Sequence, residues 1–253
     1  MSRSKTVSQA PKGAYHFHCG TSGWAYPTWK PGFYPVGTSA RKFLSYYATQ
    51  LTSVEVNYTF KSALSEKQTA EWLAAASDDF VFSFKAHQRI TNWSRLRDCG
   101  QLVAEFFAML EPFATAKKLG CVLFQLPQNF KPNHDLLAEF LALPELKHHR
   151  IAFESLNEEW FSEETFALLR KHRIALCESE NERFTAPEID SAPHRYIRLR
   201  QLGGYSASEL KAHADKLLAS DKELFIYLRH EDEPTGALNA RALLATLRGE
   251  VSA

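Results

Sequence analysis

Short apolar runs of strand length recur along the chain, separated by stretches whose apolar residues return at helical spacing. The runs are His16 to Gly20, Val54 to Asn57, Val81 to Lys85, Cys121 to Gln125, Ile151 to Glu154, Ile174 to Glu178, Tyr196 to Arg200 and Phe225 to Arg229. Helical spacing links Phe43, Tyr47 and Leu51; Leu102, Phe106, Met109, Leu110 and Phe113; Leu137, Phe140 and Leu141; Phe166 and Leu169; and Leu210, His213 and Leu217. Ser65 with Gln68 and Ser206 with Glu209 have capping-box spacing, and Gly120 is expected to stop the third helix. Eight strand–helix units in 253 residues predict an α/β fold, a single (β/α)8 TIM barrel. A doubly wound open sheet is the alternative, but the first unit lacks its dinucleotide fingerprint.

Strand side chains alternate, so in a barrel one set faces the helices and the other the interior. Keeping the apolar set of each run against the helices sends Glu55 and Asn57 inward, with Val81, Ser83 and Lys85 beside them. Leu123, Gln125, Ala152, Glu154, Arg198, Arg200, Tyr227 and Arg229 follow, and the mixed first run contributes His18 and Gly20. Glu178 shares parity with Ile174 and Leu176 and stays ambiguous. Most inward polar residues stand at the carboxyl ends of their strands, the face where TIM-barrel enzymes build active sites. Unpaired buried charge costs several kcal/mol, about that much per ion. A fold with no use for Glu55, Lys85, Glu154, Arg198 and Arg229 is therefore expected to lack most of them, unless they form a mutually satisfied plug.

Composition narrows the function classes. Lys plus Arg number 30 against 29 for Asp plus Glu, so no global positive field draws the chain to nucleic acid or an anionic membrane. Met1 to Gly13 is polar, without the apolar core of a secretory signal, and no stretch approaches the length of a membrane span. A cytoplasmic protein is expected, with a polar tail over 1–14, one domain over 15–253 and no membrane partner. Cys19, Cys121 and Cys177 fall in strands and Cys99 near a helix start, a pattern of small buried thiols.

Gly20-Thr21-Ser22-Gly23-Trp24-Ala25-Tyr26, followed by Trp29 and Phe33-Tyr34-Pro35, resembles the opening signature of the domain of unknown function 72, the YecE-like proteins. Further matches run in order: Val54-Glu55-Val56-Asn57 with Thr59-Phe60, Phe84-Lys85-Ala86 with Ile90-Thr91, and Leu123-Phe124-Gln125-Leu126-Pro127. Glu154 before Trp160, Tyr196-Ile197-Arg198-Leu199, and Gly236-Ala237 with Asn239-Ala240 complete them, so the resemblance spans Phe17 to about Leu244. It implies a TIM barrel and lends no reaction. The chain departs from the family pattern at Leu156 and Asn157, where relatives usually carry Arg and His. Asn92 stands in place of a His, and Arg229 and His230 in place of two Asn. These departures imply a ligand preference of its own, or lost activity.

The candidate site combines acid–base groups with anion-binding elements. Glu55 and Glu154 are candidates to move protons, with Lys85 lowering the pKa of one of them or acting as an electrophile; a glycosidase-like carboxylate pair is conceivable. Neighbouring carboxylates disfavour a Schiff base on Lys85. Thr21 and Ser22 with their backbone N–H groups, Gly203-Gly204, and the helix start at Thr235-Gly236 are candidates to cradle phosphate or carboxylate. Arg198, Arg200 and Arg229 are expected to bind the same small anionic molecule, with Asn57, Gln125 and Trp24 as further ligand contacts. The aromatic loop Trp24, Tyr26, Trp29, Phe33 and Tyr34, like Trp93, suits lid packing over stacking on a ligand. Barrels that cut nucleic acid use strand-end metal clusters, but here those positions hold Lys, Gln and Arg. His87, His172, His194 and the His148-His149 pair are expected on the surface. The expectation is thus an enzyme without metal or cofactor, hydrolytic or lyase-like. A non-catalytic binding or regulatory protein and a nucleic-acid backbone binder are the alternatives.

Overall fold

The computed structural model describes residues 17–180, 184–229 and 231–250. The polar tail and His230 lie outside them. Eight parallel strands are present: β1 (Phe17–Thr21), β2 (Ser53–Val56), β3 (Val81–Lys85), β4 (Leu119–Leu126), β5 (Arg150–Ser155), β6 (Ala175–Ser179), β7 (His194–Leu199) and β8 (Glu223–Leu228). They pair in the order β1-β8-β7-β6-β5-β4-β3-β2. Between them run α1 (Phe43–Gln50), α2 (Glu66–Ala75), α3 (Gly100–Thr115), α4 (His134–Leu141), α5 (Glu163–His172) and α6 (Ala207–Leu218), and α7 (Thr235–Leu247) follows β8. This is a TIM-barrel-like α/β fold.

Closure between β1 and β2 combines a single backbone hydrogen bond with side-chain bonds in place of a continuous ladder. Thr52 N–H donates to the Cys19 carbonyl at 3.1 Å, while Cys19 N–H donates to Thr52 Oγ1 at 2.9 Å. The Tyr47 hydroxyl, 0% exposed, accepts from Thr21 N–H at 2.8 Å and donates to the Ser53 carbonyl at 3.2 Å. One phenol thereby replaces missing ladder bonds, since buried backbone groups must find partners. Gly20 makes the approach feasible: a Cβ there would lie 1.8 Å from the Ser53 carbonyl oxygen.

Both capping boxes form, Ser65 with Gln68 on α2 and Ser206 with Glu209 on α6. The sixth unit departs from the expected alternation, since no helix joins β6 to β7 among the described residues of 180–193. Pro187 and Pro193 lie in this link, and each lacks the N–H a helix interior requires. Gly120 does not stop a helix either. It lies within β4, where a Cβ would meet Ser83 Oγ at 2.7 Å, and α3 instead gives way to Lys117 with φ 58°. His194 is likewise no surface residue: it opens β7 and is 3% exposed.

The interior parity follows the alternation rule. Cys121, Leu123, Ala152, Ala175, Cys177, Tyr196, Phe225 and Tyr227 pack as one cluster inside the cylinder, separate from the larger strand–helix core. Glu178 takes the opposite parity to Cys177 and forms two 2.7 Å hydrogen bonds with Arg195. All four cysteines are buried free thiols, and burial pushes those of Cys121 and Cys177 well above the usual thiol range. None of the described helices is long and apolar enough to cross a membrane.

Candidate functional site

Above the apolar interior layer, polar side chains from five strands meet at the carboxyl end of the barrel. The register sets this meeting: Gln125 pairs with Glu154 across β4 and β5, Lys85 with Leu123 across β3 and β4, and Arg198 with Tyr227 across β7 and β8. Arg198 is the hub. Its guanidinium donates from one terminal nitrogen to Glu154 Oε2 and from the other to Glu55 Oε1, each at 2.8 Å. Two carboxylates 99 residues apart in sequence thus share one buried cation. Burial alone would push the Arg198 pKa down, but Glu154 and Glu55 outweigh it and hold the guanidinium above its ordinary value.

Hydrogen bonds extend the cluster on both sides. Lys85 Nζ donates to Gln125 Oε1 at 2.6 Å, and Gln125 Nε2 donates to Glu154 Oε2 at 2.7 Å. Tyr196 OH donates to Glu55 Oε2 at 2.7 Å, and Asn57 Nδ2 to Glu55 Oε1 at 3.3 Å. Burial and the Glu55 carboxylate push the Tyr196 phenol well above its usual range, so it remains a donor. Arg200 lies at the rim, 3.6 Å from Glu55 Oε1, and donates to Ser22 Oγ at 2.8 Å. Lys85 also sits 4.2 Å over the Phe60 ring. Its pKa falls to about 8, first through burial and then through Arg198, with Glu55 and Glu154 opposing.

The two carboxylates are not equivalent. Glu55 has both oxygens engaged, whereas Glu154 Oε1 is buried without a hydrogen-bond partner, as are Asn57 Oδ1 and Arg198 Nε. Buried polar atoms left unpaired are rare in folded proteins. Of the two acids, only Glu154 retains a free acceptor.

Other expected contacts go elsewhere. Thr21 turns its hydroxyl away from the cluster, to the Gly23 carbonyl at 2.7 Å and the Tyr47 hydroxyl at 2.9 Å. Trp24 packs edge-on to Trp72 of α2 with centroids 4.8 Å apart. Arg229 Nε lies 3.7 Å from Glu231 Oε1, and Gly203 N–H donates to the same oxygen at 3.4 Å. Gly204, with φ 84°, packs where a Cβ would fall 2.5 Å from Asn239 Oδ1. The expected phosphate cradle after β7 and β8 is therefore met by a carboxylate of the protein, and a phosphate there would face like charge. In the first loop Trp29, Phe33 and Tyr34 are buried, and Trp29 Nε1 donates to the Glu231 carbonyl at 3.0 Å, as lid packing requires. Trp93, by contrast, is 66% exposed.

Tyr196 is a member of this cluster that the candidate residues of the sequence do not include. Its signal was present, because Tyr196 precedes Arg198 by two and shares its parity. Among the described residues no group of three or more His, Cys, Asp or Glu is arranged to hold a metal ion.

A model of the family described as "Protein of unknown function DUF72" matches residues 18–253. The UPF0759 protein YecE of Escherichia coli K12 is 30% identical over 115 residues, 46% of this chain and 39% of that protein. The UPF0759 protein YunF of Bacillus subtilis is 27% identical over 154 residues, 57% of this chain and 52% of that protein. The matched part thus spans about half or less of these curated relatives. A crystal structure of a DUF72 family protein from Thermotoga maritima superposes with a TM-score of 0.78 at 24% identity, covering 92% of this chain and 99% of that one. An AP endonuclease of family 2 from Brucella melitensis shares the fold alone, with a TM-score of 0.50 at 9% identity over 94% of this chain and 99% of that one. A barrel with this polar mouth and a family match reaching from its first strand to its last residue belongs to the DUF72 family.

Proposed function

We propose that the mouth of the barrel is an acid–base active site for a small anionic substrate, with Glu154 and Lys85 exchanging the proton and Arg198 and Arg200 holding negative charge. The supporting observation is the free Oε1 of Glu154, on a carboxylate that the Gln125 amide links through two hydrogen bonds to an amine whose pKa is about 8. A proton carrier works best when its pKa lies near the operating pH. Glu55, saturated by Tyr196, Arg198 and Asn57, is a charge that orients Arg198 rather than the proton carrier. Lys85, Arg198 and Arg200 set three positive charges against two carboxylates, an excess that suits an anion. Both a hydrolysis and a lyase-type elimination call on this set of groups.

Isothermal titration against a panel of phosphorylated and carboxylated small molecules tests the reading. At least one compound should bind, binding should weaken in Arg200→Met, and turnover should vanish in Glu154→Gln and Lys85→Met. A panel without a single binder would end it. The lysine has its own signature in stability. Its folded pKa of about 8 lies below an unfolded value of about 10.4, so the unfolded chain holds the extra proton between those limits. The parent protein should therefore gain stability relative to Lys85→Met as pH rises from about 8 toward 10 in urea unfolding. A difference independent of pH would remove the buried amine from the argument.

A binding protein without chemistry is the second reading, favoured by Asn157. Where relatives usually carry His, this side chain accepts from Glu159 N–H at 3.0 Å and reaches the Phe130 carbonyl at 3.5 Å, serving loop structure alone. Ligand binding that survives in Glu154→Gln, with no turnover in the parent protein, would favour it.

A further inference from the structure

Outside the barrel, α2 and α3 bound a cavity of about 680 Å³ that reaches the turns after β2 and β3 at Thr59 and His87. Thr69, Ala70 and Leu73 of α2 line it opposite Leu102, Phe106 and Met109 of α3. Each set lies on one stripe of its helix, at the spacing with which neighbouring helices pack. Here the stripes leave a gap, because α2 supplies Thr69 and Ala70 where large side chains would close it. Protein interiors hold few voids larger than a water molecule, and a mostly apolar lining offers water few partners. Volume and lining both match the pockets that take small molecules.

Charge and hydrogen bonding define the occupant. Glu66 and Glu105 border the cavity against Arg89, so its ionised groups do not favour an anion. One polar group stands among the apolar walls. Thr69 is 7% exposed, and its hydroxyl makes no hydrogen bond among the described residues. A helical threonine hydroxyl often bonds the carbonyl one turn back; here the Ser65 carbonyl takes the Thr69 N–H, at 3.0 Å, and not the hydroxyl. Unlike Glu154 Oε1, this oxygen is not sealed from solvent, so a molecule in the cavity can reach it. It has one proton to donate and lone pairs to accept with. The Met109 sulfur accepts from Leu64 N–H at 3.2 Å, which holds the thioether at the cavity wall.

We propose that this cavity binds an uncharged apolar molecule carrying a hydroxyl, of the alkylphenol class, at a site separate from the barrel mouth. The apolar body lies between Leu73, Phe106 and Met109, and its hydroxyl shares a hydrogen bond with Thr69 Oγ1. A hydroxyl suits this partner because it donates and accepts, as the threonine does.

The chain has two methionines, Met1 and Met109, so methyl NMR of methionine-labelled protein gives the cavity its own signal, assigned by its absence in Met109→Leu. Titration of the full chain with para-propylphenol should shift the Met109 methyl saturably. Propylbenzene, the same body without the hydroxyl, should bind about five times more weakly, the ratio one neutral hydrogen bond supplies. Thr69→Val keeps the side-chain shape and should erase that difference while propylbenzene still binds. Ala70→Phe fills the gap and should abolish the shifts with both compounds, with circular dichroism checking that each variant folds. Arg200→Met at the mouth should leave them intact. No saturable shift, equal affinity for the two compounds, or a difference that survives Thr69→Val would overturn the proposal. Binding that persists in Ala70→Phe, or is lost in Arg200→Met, would place the compound elsewhere and overturn it equally.

Discussion

Both ends of the barrel hold an arginine against glutamate, in opposite electrostatic settings. At the mouth, Arg198 is 5% exposed and grips Glu55 and Glu154, which are 0% and 3% exposed. At the far end, Arg150 is 46% exposed and meets Glu223, 22% exposed, which also contacts His18 at 3.0 Å. Water screens the second pair and can replace either partner. It cannot reach the first, so the mouth charges depend on one another for solvation. The same contact type is therefore an obligate unit in one place and a minor surface feature in the other. A buried unit that still leaves Glu154 Oε1 unpaired is poorly explained as a plug for stability, because well-packed apolar residues would serve that purpose as well.

Arg198→Met separates the two settings most sharply. It leaves buried Glu154 without its ion-pair partner and Glu55 with Arg200 alone at 3.6 Å, and a loss of about 3–5 kcal/mol is expected in urea unfolding. If the variant does not fold, Arg198→Lys, which keeps the charge but not the fork, should fall between it and the parent. Tyr196→Phe removes one donor from Glu55 Oε2 and should cost about 1–3 kcal/mol, with no void because the ring remains. Arg150→Met should cost less than about 1 kcal/mol, and that cost should shrink further in high salt. A cost at Arg150 equal to that at Arg198 would break the comparison, since exposure would no longer separate the two ends.

How much of this was readable in the chain varies by element. Alternation identified the inward residues of β2, β3, β4, β5 and β7, because a strand in a closed sheet has only two faces. Errors gathered at strand beginnings. β4 starts at Leu119 and β7 at His194, each two residues before its apolar run, so hydropathy places Gly120 at a helix stop and His194 on the surface although both lie in strands. Hydrophobicity marks burial, whereas the backbone ladder continues through small and polar residues that carry no such mark. The second carboxylate, Glu55, was found by parity, but its saturation was not, since Tyr196 lies 141 residues away. Glu231 was missed for the same reason: nothing local tells that a carboxylate after β8 will meet Gly203 after β7.

The chain by itself determined the period of its elements and which side of each strand is polar, because both follow from neighbours within a few residues. Only the tertiary structure decided which charges meet, which oxygen stays free, and that the glycine cradle faces a carboxylate. Those outcomes depend on distances of a few ångströms between side chains remote in sequence, and ring closure of the sheet is what sets them.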